Sequence, residues 1–205
     1  MEQKIFSRFN VYDQFGYLMV GAIALLVLVF NAVYFFKLNI VLFNINTLLV
    51  WFIVAYFLGH LIQGMANLVT GIKLLRFLLP EDKGNFNDEQ KEVLEQAKEY
   101  FELQKQDENR LWNLCYMFAN AKDITGQVQA FNSYYSMYRG WFIVFILKSL
   151  FLLYFLISAY EWKTLFLFLT SVFFAVIFGR RSRRFWNYTR DKVFDTFVIV
   201  RKLNM

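Results

Sequence analysis

Five polar side chains, Tyr56, His60, Gln63, Asn67 and Thr70, follow one another at spacings of four, three, four and three residues in and just beyond an uncharged apolar stretch, Thr47–Val69. That spacing puts them on one face of an α-helix. Hydroxyl, imidazole and amide groups are costly against hydrocarbon, so such a face turns toward protein or a wet cavity. Two chemistries suit it. One is helix–helix adhesion through amide hydrogen bonds, worth about 0.6–2 kcal/mol each. The other is a water-lined path or ligand pocket. His60, the single histidine, is the group there whose ordinary pKa lies near neutrality, which leaves a proton-sensing role open to it. Gly59, Gly64 and Gly71 lie on or near the same face, and Ala55 with Gly59 forms a small-x-x-x-small pair that lets helices approach closely.

A second candidate is Lys148, seven residues into another apolar stretch and about 10 Å of helix from Trp141. Its ammonium can snorkel back to the polar face along its own methylenes. Alternatively it is a pore-lining cation or half of a buried pair, with Asp13 as the most plausible acid.

The elements that position these groups are four long apolar stretches: Phe15–Phe36, Thr47–Val69, Trp141–Tyr160 and Thr164–Gly179. Lys148 is the only full charge in any of them. As helices the first three are long enough to cross a hydrocarbon core of about 30 Å. The fourth has 16 residues and needs flanking residues or local bilayer thinning. The chain of 205 residues is 58% hydrophobic and 21% aromatic, with 26 phenylalanines and a mean hydropathy of +0.37. That is too little polar protein to enclose four such helices in a soluble core. The expected fold class is all-α: a polytopic membrane protein of four transmembrane helices with a helical cytoplasmic part. Its divisions are 1–79 (a first hairpin, spans about 15–36 and 47–69), 80–139 (an acidic helical segment), 140–179 (a second hairpin, spans about 141–160 and 164–179) and 180–205 (a basic amphipathic tail). No small-residue cleavage site follows the first stretch, so it is expected to remain as an anchor.

Basic residues near the ends of the stretches number nine on one side (among them Lys4, Arg8, Lys73, Arg76 and Arg139) and two on the other, Lys37 and Lys163. The positive-inside rule then puts both termini and the middle segment in the cytoplasm. The lone Cys115 allows no internal disulfide, and with one histidine a zinc-type site is not expected.

The two cytoplasmic pieces carry opposite charge. Glu81–Glu108 holds ten acids and four lysines. After Pro80, Asn87 offers an N-cap with Gln90 three residues on, predicting a helix from about Asp88 to Gln104 with Val93, Ala97, Tyr100 and Phe101 on one stripe. A second helix is expected over about Glu108–Ala121, with Leu111, Cys115 and Phe118 aligned, and Gly126 marks a break before residues that run on into the third span. The tail opens with Arg180, Arg181, Arg183 and Arg184 and shows Trp186, Val193, Phe197 and Val200 at helical spacing. The arginines have three possible addressees: anionic lipid headgroups, the acidic segment, or an outside partner, of which nucleic acid is the least expected. Acidic helix and basic tail are expected to pack as one small domain. If charge holds them together, reversing Glu92, Glu95 and Glu99 to lysine destabilises the protein.

The chain has no Gly-rich phosphate loop, no HExxH and no G-x-S-x-G, and neither an enzymatic activity nor a cofactor is expected. Asn10–Leu18 (NVYDQFGYL) at the mouth of the first span, Phe131–Gly140 (FNSYYSMYRG) before the third, and Asp191–Phe197 (DKVFDTF) in the tail, set in the four-span layout, resemble small membrane proteins of bacterial anti-phage defence systems, such as the membrane subunit of the Kiwa system or membrane accessory proteins of RNA-targeting CRISPR loci. The resemblance implies a tetramer-like homo-oligomer in the bilayer that senses phage-induced membrane change, or disturbs the membrane when a soluble cytoplasmic partner signals. It brings no catalytic residue. A small channel or transporter, or a passive scaffold for a partner protein, is the alternative.

Overall fold

The structure, a computed structural model, describes residues 13–38, 47–69, 86–103 and 108–203, with the side chains of Asp13 and Gln14 outside the described set. A π-helical lead-in, Asp13–Met19, opens into α1, Val20–Tyr34. The helices α2 (Leu48–Val69), α3 (Asp88–Tyr100), α4 (Glu108–Lys122), α5 (Gln127–Ser158) and α6 (Trp162–Leu203) follow. Four segments are long and apolar enough to cross a membrane: Phe15–Tyr34, α2, α5 and α6. Their outer faces are bare hydrocarbon, with Leu68, Ile157 and Phe166 exposed to 80%, 79% and 64%. A continuous belt of such side chains suits lipid and not water. The chain is an all-α polytopic membrane protein.

The two long helices organise the rest. α5 has 32 residues and α6 has 42, about 48 and 63 Å against roughly 30 Å of hydrocarbon, so both extend well beyond the spanning region. α6 does not pause where its apolar part ends. The short fourth span and the basic tail are one helix: the stretch 180–203 contains neither Gly nor Pro, arginine is a good helix former, and Ser182 and Thr189 stay buried beyond the apolar run. Small buried residues line the long helices, with Ser133, Ser136 and Gly140 on α5 and Ser171, Ala175, Ser182 and Thr189 on α6. Ser133 Oγ donates to the Gln129 carbonyl of its own helix (2.8 Å) and Thr189 Oγ1 to that of Phe185 (2.9 Å), while Ser182 Oγ reaches across to the Tyr135 carbonyl of α5 (3.5 Å). Aromatic rings close the seam, Tyr138 stacking on Phe185 at 5.4 Å.

The first hairpin packs on α5. α1 and α2 cross with backbone against backbone: a Cβ on Gly21 would strike the Ala55 carbonyl, and one on Gly59 the Tyr17 carbonyl. The Ala55/Gly59 pair thus serves the close approach its spacing announces.

At the polar end, α3 and α4 fold against the last third of α6. Asn87 caps α3 in a reciprocal box, accepting from Gln90 N–H (2.8 Å) while the Gln90 side chain accepts from Asn87 N–H (3.2 Å). α3 stops at Tyr100, earlier than the sequence implied, because Phe101 turns and Glu102 takes a left-handed φ of 53°. The domain core is aromatic. Phe86, Trp112, Phe194 and Phe197 are buried together with Leu94, Leu111 and Val193, and Trp112 meets Trp186 at 5.9 Å and Phe194 at 5.3 Å. Cys115 lies fully buried in this cluster, and burial pushes its thiol up to about 12, so it is packing material, not a nucleophile.

Acidic segment and basic tail therefore join, but hydrocarbon rather than the opposed charges makes the join. Arg180, Arg181, Arg183 and Arg184 are exposed, and Glu92 and Glu95 point to solvent. Of the three glutamates expected to hold the tail, Glu99 faces Arg201 at 3.8 Å, whereas Glu95 pairs with Lys98 of its own helix at 3.5 Å. Exposed pairs of this kind are worth at most about 1 kcal/mol, whereas each buried ring contributes several-fold more. Reversing Glu92 and Glu95 to lysine is expected to leave the melting temperature in detergent nearly unchanged, while Phe197→Ala costs about 3–5 kcal/mol, read from the same thermal melt.

A carboxylate also sets the start of α5. Burial raises the Asp123 carboxyl, but bonds from Thr125 and from Val128 N–H (2.7 Å) outweigh it and leave it below the ordinary carboxylate value. The ionised form therefore stabilises the fold above the unfolded-state pKa of about 4, and that contribution is lost as pH falls through the lower folded value. Asp123→Asn is expected to lower the melting temperature at pH 7, with the gap to the parent protein closing below about pH 4.

Candidate functional site

Gln63 is the centre of the spanning region. It sits on α2, 4% exposed, and its amide reaches two other segments. Nε2 donates to the carbonyl of Gly16 in the π-helical lead-in (2.9 Å) and to that of Ser136 on α5 (2.8 Å). Oε1 accepts from Arg139 Nη2 at 3.0 Å. Both amide hydrogens are thereby used and the oxygen is paired with a cation, which satisfies a group that hydrocarbon would otherwise penalise. Arg139 is held in turn over the Tyr135 ring (5.1 Å) and donates to its hydroxyl at 3.3 Å. The site exists because Gly140 carries no side chain: a Cβ there would lie 2.6 Å from Val20 and 3.0 Å from Gln63 Nε2. Trp141 adds a bond from its indole N–H to the Met19 carbonyl at 3.3 Å.

The rest of the predicted polar face divides. His60 stacks on Tyr17 of the lead-in at 3.8 Å, and Tyr56 meets both rings edge-on, at 6.1 and 4.7 Å. These three form an aromatic clasp beside the glycine crossing. Asn67 is exposed, and Thr70 lies outside the described residues, as do Lys4, Arg8, Gly71, Lys73, Arg76 and Pro80. Of the four that are described, Gln63 alone is buried. The structure uses it as helix–helix adhesion: its donors are spent on carbonyls, which leaves none for a file of water.

Lys148 occupies a different place. Its ammonium lies 4.8 Å from the Phe30 ring centroid and lines a cavity of about 540 Å³ among α1, α2 and α5, together with Asn31. Phe30 stands eleven residues beyond Met19, the residue level with Trp141, so the cation stays inside the span. Snorkelling back to the Trp141 level is not what the side chain does. The acid suggested as its partner, Asp13, has its side chain outside the described residues. Asn31 is 8% exposed and its Oδ1 is buried without a hydrogen-bond partner among the described residues.

The arginines of α6 project to the outside just past the apolar run, Arg184 resting over Tyr188 at 5.3 Å. A groove of about 470 Å³ lies farther along, between α3 and α6, with Glu89, Asp191 and Asp195 beside Lys192. Burial there raises the Asp191 carboxyl, Asp195 adding to the effect while Arg190 and a bond from Gln90 (3.0 Å) oppose it. Among the described residues no three His, Cys, Asp or Glu side chains converge to hold a metal.

Two participants escaped the sequence reading. Arg139 counts there only as a flanking charge, although Ser136, Arg139 and Gly140 share one helical face by their spacing. Asn31 is the single amide in Phe15–Phe36, a signal of the kind that singled out Gln63. No protein-family model, curated protein or solved structure matches the chain.

Gln63→Leu removes three bonds of about 0.6–1.7 kcal/mol each and is expected to lower stability in detergent by about 2–4 kcal/mol. Asn67→Leu, one turn away on the exposed side, is expected to change it far less; equal losses would place the adhesion elsewhere.

Proposed function

We propose that the chain is an integral inner-membrane component of a bacterial anti-phage defence system: an oligomeric sensor or membrane-perturbing effector that works with a soluble cytoplasmic partner. Its termini and helical domain face the cytoplasm in this reading, which rests on the count of flanking basic residues. The defence context rests on the resemblance of the NVYDQFGYL, FNSYYSMYRG and DKVFDTF strings. The observation that carries the mechanism is the continuity of α5 and α6, each an unbroken helix from the spanning region into the polar domain. A helix is stiff over such lengths, so a tilt or rotation imposed by a changed bilayer is delivered to the aromatic cluster around Trp112 and Phe197, and a partner bound there can act on the spans in return. The Gln63 node makes the first hairpin move with α5 instead of sliding past it.

The experiment records membrane potential in cells expressing the chain alone and with the product of its neighbouring gene. Depolarisation only with the partner and a trigger is the expected result. Constitutive leak would point to a channel, and no electrical response under any condition to a sensor or a scaffold. A two-glycine insertion between Gly179 and Arg180 interrupts α6 at the membrane edge. It is expected to leave membrane insertion intact and to abolish the triggered response.

A further inference from the structure

The 540 Å³ cavity among α1, α2 and α5 is unlike the rest of the spanning region. Its walls are hydrocarbon, from Val27, Ile62, Val144 and Phe151, yet it holds two polar groups: the Lys148 ammonium, whose described contact is the Phe30 ring, and Asn31 Oδ1, which has no hydrogen-bond partner among the described residues. We propose that this cavity binds the carboxyl end of a single-chain amphiphile, a free fatty acid, with the acid group between Lys148 and Asn31 and the chain along the apolar walls.

The chemistry selects the head group. A cation over a ring face in a low-dielectric site gains much more from an anion at hydrogen-bond distance than from the ring. An ionised carboxylate supplies that anion and has a second oxygen free for Asn31, whose amide, turned end for end, donates to it. In the protonated form the acid hydroxyl donates to Asn31 Oδ1 as it stands. A hydroxyl or an ester satisfies Asn31 or Lys148 without neutralising the charge. Size selects the tail. At about 30 Å³ for each water-sized group, the volume takes roughly eighteen non-hydrogen atoms, which is one hydrocarbon chain and not two. Leu28 and Phe36, both lining the cavity and both exposed, place its mouth toward lipid, so the ligand enters sideways from the bilayer. This inference does not depend on the defence reading.

The test uses the full chain in nanodiscs of dioleoylphosphatidylcholine, with carboxyl-13C oleic acid as the probe. Bound stoichiometry is read by native mass spectrometry and the carboxyl environment by NMR. One oleate per chain with a shifted carboxyl resonance is expected, weakened about tenfold or more by Lys148→Met, the scale of losing a charge-assisted hydrogen bond. Asn31→Leu is expected to weaken it to a lesser degree and Lys148→Arg to retain it. Leu28→Trp, which fills the mouth and leaves both polar groups in place, is expected to abolish binding without lowering the melting temperature, and it serves if Lys148→Met fails to fold. Oleyl alcohol and dioleoylphosphatidylglycerol are the comparison ligands. Oleate binding insensitive to all these variants overturns the proposal. Preferential binding of phosphatidylglycerol with the same sensitivities overturns the single-chain carboxylate in favour of a phospholipid headgroup.

Discussion

A side-chain amide inside a bilayer has to find its partners within the protein, because no water is there to supply them. Gln63 meets that constraint by binding three things at once: the Gly16 carbonyl, the Ser136 carbonyl and the Arg139 guanidinium. Its geometry fixes how the first hairpin sits on α5. Sliding the first hairpin along α5 by one turn, about 5.4 Å, would break the bonds to Ser136 and Arg139 together and leave two polar groups facing hydrocarbon. The penalty is therefore all-or-none, which is how a single residue sets the register of an interface otherwise made of interchangeable aliphatic contacts. The hydrophobic effect cannot do this between spans, since lipid tails are as apolar as leucine.

Around that node, closeness is obtained by omission of side chains. Gly21 and Gly59 let α1 and α2 meet at the backbone, and Gly140 leaves the volume that Val20 and the Gln63 amide occupy. Dispersion forces fall off steeply with separation, so these small residues are what allow a bundle with bare outer faces to hold together. The same economy recurs between α5 and α6, where Ser133, Ser149 and Thr189 return their hydroxyls to their own helix and Ser182 reaches the Tyr135 carbonyl across the seam. Beyond the membrane level the strategy reverses. Large aromatics fill the polar domain, because there water is the competing solvent and each buried ring is rewarded.

Much of this was legible in the sequence, for identifiable reasons. The four spans follow from runs of apolar residues that no other structure accommodates, and the α3 boundary from Asn87 and Gln90, whose capping is local. The second-span face was legible as a face, since period 3.6 is a property of the helix alone. What its members do was not. Whether Gln63 is glue or pore lining depends on Gly16, Ser136 and Arg139, which lie 47, 73 and 76 residues away, and sequence spacing carries no information about them. The Lys148 side chain shows the same limit, since side of the membrane is visible in sequence while the depth and azimuth that set it over Phe30 are not. The charge-docked tail failed on magnitude. Net charges of opposite sign are conspicuous, but exposed ion pairs are weak, and the buried rings of Trp112, Phe194 and Phe197 decide the join.

Lys148 and Asn31, two polar groups of the spanning region that are not closed off among the described residues, make an instructive contrast with Gln63. In a bundle this small, with each span touching few neighbours, an unsatisfied amide and a cation in one cavity are a persistent cost to the resting fold. Removing them would need only a leucine at position 31 and a leucine at 148, changes that hydrocarbon-facing helices accept readily. Gln63 shows that the bundle can satisfy an amide fully when the packing requires it. Asn31 and Lys148, set along the same three helices, are left with a ring face and an open space. The difference lies in what surrounds them: small residues bring backbone carbonyls up to Gln63, whereas Val27, Val144 and Phe151 hold the helices apart at the cavity. A packing defect alone would be apolar and dry. One that carries a cation and an orphan acceptor has the composition of a binding site, few convergent polar groups on an apolar wall, and its stability is linked to whatever completes it.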